Sequence, residues 1–198
     1  MSETPNNSLN NAAAEWPWKR ILVNVDENGE SYVQNDKVSV VMHRPGFVFR
    51  ADLWSTQECP VNNEISTDRA FDNEQRREPF PNGIIARNLM LYPDPDPITH
   101  RQLIEKLHGD VKQSHMPNEK DYSRSLNMHR TNTLDIITCV FGEIWLVTDQ
   151  DEILMRPGDT TIIRGGNHSW SNRSDAPCLL SGVMVDAIPR DVFARNEA

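Results

Sequence analysis

The fold is decided by two stretches of the chain, HRTNTLDIITCVFG at residues 129–142 and GDTTIIRGGNHSWSN at residues 158–172. Both combine β-branched residues with Gly and Asn breaks, which is the pattern of short β-strands joined by turns. Runs of the same kind recur at 20–25, 38–42, 47–54, 83–92, 152–155 and 178–185. Strands this short and this evenly spaced predict an all-β sandwich or small barrel.

The first stretch places several polar side chains on one face of its predicted strand. Side chains two residues apart in an extended strand point to the same face. The side chains that fall on this face are His129, Thr131, Thr133 and Asp135. Polar and titratable groups inside a barrel are costly unless they form a site. We therefore expect a pocket between this face and the strand that His168 opens.

Two helices are predicted outside the strands. Asp96 is suited to cap a helix that Pro97 begins and Gly109 ends, because Asp accepts amide hydrogen bonds and Pro is tolerated in the first turn. A second, short helix is predicted at 189–196. Between the strands, the pair Asn28-Gly29 predicts a β-hairpin.

Two polar segments are interpreted as long surface loops. The segment at 64–81 is charged and closed by proline, and a loop of that length is suited to cover a pocket. The segment at 111–126 is polar and irregular, and it is expected to lie exposed over the barrel.

Composition and charge narrow the function classes. The chain has 198 residues and a net charge of −9, which suits one domain and disfavours binding to nucleic acid or an anionic membrane. No apolar run approaches the roughly 20 residues of a membrane helix. Residues 1–15 lack the features of a secretory signal and are interpreted as a flexible arm before a single domain at 16–198. Cys59, Cys139 and Cys178 are therefore expected to be reduced thiols in a cytoplasmic protein.

The two stretches resemble the paired signature motifs of the cupin superfamily. The usual first motif is G(x)5HxH(x)3–4E(x)6G, and residues 129–142 read HxT(x)3D(x)6G. The usual second motif is G(x)5PxG(x)2H(x)3N, and residues 158–172 match it with one residue fewer and Arg164 in the proline position. The sequences MHRTNTLD at 128–135 and RPGDTTIIRGGNHSWSN at 156–172 are more narrowly similar to a subgroup of small microbial and fungal cupins. The similarity to this subgroup is densest at 128–189.

The resemblance implies the fold and the assembly. It implies a single cupin (RmlC-like) domain, that is, an all-β double-stranded β-helix or jelly-roll barrel, here with one short helix and long surface loops. It also implies a homodimer, because small cupins commonly pair through N-terminal strands or sheet edges, and open edges need cover.

The resemblance further implies a metal site, with two departures. A typical cupin site takes two His and one Glu from the first motif and one His from the second. The matching positions here are His129, Thr131, Asp135 and His168. His129, Asp135 and His168 can form a facial triad for a divalent ion such as Fe, Mn, Zn or Ni. The alternative is a metal-free polar cluster in which a carboxylate orients an imidazole as a general base.

These alternatives lead to two enzyme hypotheses and one binding hypothesis. With a metal, oxygenase or Lewis-acid chemistry on an oxygenated or aromatic metabolite is expected. Without a metal, His129, Asp135 and His168 are expected to catalyse a dehydratase or isomerase reaction by proton transfer. Substrate contacts are predicted from Thr131, Thr133, Arg164, Asn167 and Trp170. The alternative to an enzyme is a non-catalytic cupin that binds a small molecule.

The histidines outside the two stretches are expected to be solvated. They are His43, His100, His108 and His115. Cys139 and Cys178 lie in apolar runs, where a thiol acts as a small hydrophobic group.

Overall fold

The computed structural model describes residues 19–36, 40–64, 68–70 and 75–194, so the predicted arm at 1–15 lies outside the described residues. Antiparallel strands dominate the described part of the chain, and the all-β prediction is confirmed. The strands are β1 Arg20–Val25, β2 Ser31–Asp36, β3 Val40–Arg44, β4 Val48–Ser55, β5 Ile84–Leu91, β6 Thr133–Phe141, β7 Ile144–Thr148, β8 Glu152–Met155, β9 Thr160–Arg164, β10 His168–Ser171 and β11 Cys178–Asp186. The helices are α1 Pro97–Asp110, α2 Glu119–Arg124 and α3 Asp191–Ala194.

Two antiparallel sheets form the barrel. The larger sheet has six strands in the order β3-β4-β5-β11-β6-β9, and the smaller has three strands in the order β10-β7-β8. The chain leaves the larger sheet after β6, forms β7 and β8 in the smaller one, and returns at β9. This alternation between two sheets is that of the predicted jelly-roll barrel.

The inner faces of the two sheets bury one apolar cluster. Leu91 and Leu180 from the larger sheet pack in it with Ile144, Leu146 and Trp170 from the smaller sheet. Because strand side chains alternate between faces, the same inner face also carries the polar residues of the two motif stretches. The fold therefore places those residues at the edge of an apolar core.

Helix α1 begins where it was predicted. The Asp96 side chain accepts hydrogen bonds of 3.1 Å from the first two free amides of the helix. The helix runs one residue past Gly109, and it ends where Val111 adopts an extended conformation. Ile104 is fully buried and packs α1 against the barrel core.

Helix α2 shows that the interpretation of 111–126 as an irregular loop was wrong. Its N-terminus is a capping box, in which the Asn118 and Asp121 side chains each accept a hydrogen bond from the other residue's amide. Six residues are too few for an apolar period to be recognised, because a helical repeat needs several turns. Helix α3 covers four residues of the helix predicted at 189–196. Among the described helices, none is both long and apolar enough to cross a membrane.

Strands β1 and β2 form the hairpin predicted from Asn28-Gly29. Gly29 has a φ of 81°, a conformation that glycine adopts without strain. The hairpin is a separate two-stranded sheet. Arg20 fixes its base, because Arg20 Nη1 donates to the Leu53 carbonyl at 2.8 Å and pairs with Asp68.

The described part of the segment at 64–81 lies against the barrel. Arg76 forms an isolated parallel bridge with Lys112. The backbone amide of Arg77 donates to the Lys112 carbonyl at 2.9 Å. The two segments predicted to be loops therefore pair with each other, and this pairing places Arg77 at the barrel wall.

Candidate functional site

A cavity of about 120 Å³ lies between the two sheets. Its walls come mainly from the larger sheet, from β10 of the smaller sheet and from α1. The apolar part of the wall includes Met42, Phe47, Val48, Leu89, Leu91 and Leu180. The rest of the wall carries titratable and charged side chains, whose interactions are strong because they lie away from bulk water.

His129 and His168 face each other where the two sheets meet. Their backbones exchange hydrogen bonds of 2.8 and 2.9 Å. Their ring centroids are 4.4 Å apart, with the ring planes tilted by 51°. Both side chains are buried, and both line the cavity. The structure thus brings together the two histidines between which the pocket was predicted.

Each of these imidazoles is held by a backbone carbonyl two residues upstream. His129 Nδ1 lies 2.8 Å from the Asn127 oxygen, and His168 Nδ1 lies 2.9 Å from the Gly166 oxygen. A carbonyl oxygen can only accept a hydrogen bond, so each Nδ1 carries the proton. In the neutral ring, Nε2 then holds the free lone pair and is the basic atom.

Burial keeps both imidazoles neutral. Loss of solvation is the largest cause that lowers the pKa of His129 well below its ordinary value and that of His168 to about 4. The positive charge of Arg77 lowers both pKa values further. Both rings are therefore neutral at neutral pH, with Nδ1 protonated and Nε2 free to accept a proton.

Asp135 brings a carboxyl group into the same cavity. Its side chain is 3% exposed. Burial raises its pKa to about 6, although a hydrogen bond with Thr133 and the charge of Arg87 oppose that rise. Neutral bases and a carboxyl of raised pKa in one cavity form an arrangement suited to acid–base catalysis.

Some polar atoms of the cavity wall have no hydrogen-bond partner among the described residues. They are Arg50 Nε, Asn127 Oδ1 and Asp135 Oδ1. A buried donor or acceptor is rarely left unpaired in a folded protein, because it has lost water without replacement. Unpaired atoms in a cavity wall are what a site for a polar ligand requires.

Three arginines of the cavity wall were missed by the sequence reasoning: Arg50, Arg77 and Arg87. Arg87 Nε lies 2.6 Å from Asp52 Oδ1, and Arg50 Nη2 lies 3.2 Å from Asp52 Oδ2. Arg50 and Arg87 each interrupt an apolar β run, and this signal was available because a charge in such a run must find a partner. Arg77 lies in a predicted loop and carried no such signal.

Two histidines predicted to be solvated are buried, so that prediction was wrong. His100 is 8% exposed and lines the cavity. His108 is 2% exposed, and its Nδ1 lies 3.3 Å from Arg77 Nη2. The buried positions of α1 are His100, Ile104 and His108, so this face of the helix packs against the barrel. His43 is exposed, as predicted.

Trp170 is the predicted substrate contact that lines the cavity of His129 and His168. Its ring stands edge-on to that of His168, with centroids 5.9 Å apart. Asn167 lies outside that wall, where its side chain donates to Asp121 at 2.7 Å and to Asp149 at 3.0 Å.

Thr131, Thr133 and Arg164 line a second cleft. The two threonine hydroxyls are 2.7 Å apart, and both side chains are buried. Strand β6 begins only at Thr133, so regular alternation does not extend back to His129. Thr131 and Thr133 are therefore not among the residues that line the cavity of His129 and His168, although Thr133 hydrogen-bonds with Asp135, which does line it.

The described residues do not fit a three-ligand metal site. Among them, no group of three or more His, Cys, Asp or Glu side chains is placed to hold one ion. The facing pair His129 and His168 supplies two ligands, whereas a catalytic metal site in a protein usually has three. Thr131, which stands at a family ligand position, lines the other cleft. The metal ion stays a prediction.

Cys139 and Cys178 lie in the core as free thiols, with sulfur atoms 3.8 Å apart. Burial raises the pKa of both thiols, that of Cys178 to about 12. Because the thiolate is the reactive form, these residues act as small apolar groups at neutral pH.

Curated relatives of the chain are fungal proteins. The chain is 30% identical over 128 residues to a cupin-domain-containing oxidoreductase of Neurospora crassa. The aligned region covers 60% of this chain and 65% of that protein. It is 46% identical over 48 residues to the phomopsin biosynthesis cluster proteins C′ and D of Diaporthe leptostromiformis. This aligned region covers 24% of this chain and 25% of each relative. The chain therefore spans less than two thirds of the length of these relatives. No family model matches it.

Solved structures resemble the chain at low identity. A protein with a double-stranded β-helix domain from Klebsiella pneumoniae is 12% identical, with a TM-score of 0.42, covering 76% of this chain and 87% of that protein. The fold assignment therefore rests on the strand order and register of this chain.

Proposed function

We propose that this chain, a member of the cupin superfamily, is an enzyme that acts on a small metabolite by proton transfer. The observation that carries the proposal is that His129, His168 and Asp135 are buried and line one cavity. Their surroundings favour neutral imidazoles and a carboxyl of raised pKa, which are the forms that acid–base catalysis needs.

The two imidazoles are the bases in this proposal. Hydrogen bonds to backbone carbonyls fix Nδ1 as the protonated nitrogen of each ring. The Nε2 atoms then accept a proton from the substrate. The cavity is comparable in size to one of about 150 Å³ that binds benzene, so the substrate is a small organic molecule.

Asp135 is the acid in this proposal. A base removes a proton from the carbon beside a carbonyl, and the electron pair moves onto the carbonyl oxygen. Asp135 gives its proton either to another carbon of the same molecule, as in an isomerase, or to a hydroxyl that leaves as water, as in a dehydratase. Transfer of a proton from the imidazolium to the Asp135 carboxylate then restores the starting forms.

A second candidate is supported by a different observation. The Neurospora crassa relative is named as an oxidoreductase. Oxidation of the same metabolite would need an oxidant, such as molecular oxygen. Consumption of oxygen by metal-supplemented protein and metabolite would favour this candidate.

Proton exchange tests the leading proposal before the physiological substrate is known. The purified full chain is incubated in D2O with a panel of β-hydroxy acids, β-keto acids and aryl ketones, and loss of the C–H signal beside the carbonyl is followed by NMR. We expect exchange above the buffer rate for at least one compound. The His129→Gln and His168→Gln variants should lower that rate by about 100-fold or more, which is typical for loss of a positioned base.

The matched control is His43→Gln, because His43 is an exposed histidine outside the cavity. It should leave the exchange rate unchanged. Exchange that persists at the wild-type rate in both cavity variants would place the chemistry elsewhere. Compounds that bind without any exchange would favour a non-catalytic binding protein.

A further inference from the structure

The arginines of the cavity wall carry more positive charge than their local partners neutralise. Asp52 is shared, because it accepts hydrogen bonds from Arg87 Nε at 2.6 Å, Arg87 Nη2 at 3.2 Å and Arg50 Nη2 at 3.2 Å. One carboxylate therefore serves two guanidinium groups. A third guanidinium, that of Arg77, lies in the same wall.

Arg77 is held by uncharged groups. Its Nε donates to Gln113 Oε1 at 2.6 Å, and its Nη2 lies 3.3 Å from His108 Nδ1. Among the described residues, no carboxylate lies within 4.0 Å of its guanidinium to form an ion pair. Glu78 is adjacent in sequence, but its carboxylate accepts hydrogen bonds of 2.9 Å from the Ser114 and Asn132 amides.

The other acidic groups of the cavity do not cancel this charge. Asp94 accepts hydrogen bonds from Ser171 Oγ and the Asn172 amide. Among the described residues, it forms no ion pair with Arg50, Arg77 or Arg87. Asp135 offsets at most the charge of Arg87, the arginine that lowers its pKa, and burial opposes its ionisation by raising that pKa to about 6.

Two further observations indicate that an anion belongs beside these arginines. Arg50 is 6% exposed, and its Nε has no acceptor among the described residues. Burial and the neighbouring charges of Arg50 and Arg87 lower the pKa of Arg77 to about 9. A buried donor without an acceptor and crowded positive charges are both relieved by a bound anion.

The rest of the cavity defines the body of the ligand. The remainder of the wall is largely apolar, with Phe47, Leu89 and Leu180 among its residues, and Leu89 is the strand partner of Arg50. An apolar wall with a few charged groups favours a ligand that is apolar at one end and anionic at the other. The planar guanidinium group matches the two oxygens of a carboxylate.

We propose that Arg50 and Arg77 bind the carboxylate of an organic acid whose apolar or aromatic body fills the cavity. This inference deepens the proposed function by naming its substrate class, and Arg87 serves to hold Asp52 in place. Arg77 lines the same cavity as His129 and His168, so the bound carboxylate shares that cavity with the two histidines. The carbon next to the carboxylate is then the carbon presented to the bases.

The test compares acids with neutral amides of the same shape. Binding of benzoate, cinnamate, benzamide and cinnamamide to the full chain is measured by calorimetry. We expect an acid to bind about tenfold or more tightly than its amide, since a charge-assisted pair replaces a neutral contact. Equal affinity for acid and amide, or no binding of either acid at millimolar concentration, would overturn the proposal without any variant being made.

Variants locate the carboxylate. Arg77→Gln should weaken acid binding about tenfold and leave amide binding unchanged. The control Arg156→Gln, at a side chain that is 65% exposed, should change neither. Arg50→Gln is compared in the same way after its fold is checked by circular dichroism. An Arg77→Gln protein that binds the acid as tightly as wild type would refute the assignment.

The outcome separates this inference from the proposed function. His129→Gln and His168→Gln should still bind the acid, because the histidines are not its anchor. Selective acid binding without proton exchange would leave the anion site standing and refute the enzyme. Proton exchange on neutral compounds, without tighter binding of acids than of amides, would support the enzyme and refute the anion site. Tighter binding of phenyl phosphate than of benzoate would overturn the choice of a carboxylate.

Discussion

The backbones of His129 and His168 exchange two hydrogen bonds, and this pairing holds the two imidazole centroids 4.4 Å apart. The pairing is made by main-chain atoms, so it does not depend on either side chain. Replacing one ring should therefore leave the other in place. Effects of single substitutions at these two positions can for that reason be assigned to the ring that was removed.

Stability should fall in acid because of His168. Its pKa is about 4 in the folded protein against an ordinary value of 6.5, so the unfolded chain binds a proton between these values that the folded chain does not. The contribution of the neutral His168 imidazole to the free energy of unfolding is fully present above pH 6.5, and it is lost as the pH falls toward 4. At 1.36 kcal/mol per pKa unit the loss is about 3 kcal/mol. His168→Gln should flatten the pH dependence of urea unfolding in this range, whereas His43→Gln should keep the wild-type slope.

Asp135 should have the opposite effect. Its pKa is about 6 in the folded protein against an ordinary value of 3.8, so the folded chain keeps a proton that the unfolded chain releases. Stability is lost as the pH rises from about 4 to 6, and the full cost is present at pH 7. Asp135→Asn removes the charge and should raise the free energy of unfolding at pH 7 by about 2 kcal/mol. A destabilised Asp135→Asn protein would contradict this prediction.

Asp52 is the matched control for Asp135, because both are buried aspartates of the same barrel. Burial opposes ionisation of Asp52, but the charges of Arg50 and Arg87 hold its pKa below the ordinary value. Asp52→Asn leaves two buried guanidinium groups without their carboxylate and should cost about 3 kcal/mol or more. Opposite signs for the two Asp→Asn substitutions, read from chemical denaturation at pH 7, are the expected result.

The strands of the barrel were predictable because their signals are local. The runs at 20–25, 152–155 and 178–185 and the Asn28-Gly29 hairpin need only alternation and turn chemistry, and each corresponds to elements of the structure. The cupin resemblance added the arrangement of these strands in two sheets. The homodimer and the cytoplasmic location stay predictions, and gel filtration tests the first.

The histidines and aspartate of the site were also predictable, since they lie in the motif stretches. The arginine side of the cavity was not. Arg77 reaches the wall because its segment pairs with Lys112, a contact between distant parts of the chain that no local pattern indicates. The burial of His100 and His108 depends on which face of α1 meets the barrel, and this is set by packing with the strands.

Gly182 should not tolerate a larger residue. It lies between Ile137 of β6 and Arg87 of β5, and an added Cβ would lie 2.3 Å from Ile137 Cδ1 and 2.6 Å from the backbone oxygen of Ile136. The backbone oxygen cannot move without breaking the strand pairing, so Gly182→Ala should destabilise the protein by about 2 kcal/mol. Gly109→Ala is the control, because an added Cβ there has no neighbour within 4 Å. It lies in α1 and should stabilise by up to about 1 kcal/mol in thermal unfolding.

Metal analysis tests the donor set of the cavity. The facing imidazoles of His129 and His168 offer two ligands, and no third His, Cys, Asp or Glu among the described residues is placed to join them on one ion. Protein purified without chelator should therefore contain clearly less than one equivalent of Fe, Mn, Zn or Ni. Addition of these ions should leave the melting temperature unchanged, because only binding to the folded state raises it. One equivalent of metal that is retained by wild type and lost in both His129→Gln and His168→Gln would show that Asp135 or another group completes the site, and it would favour the oxidoreductase over the metal-free enzyme.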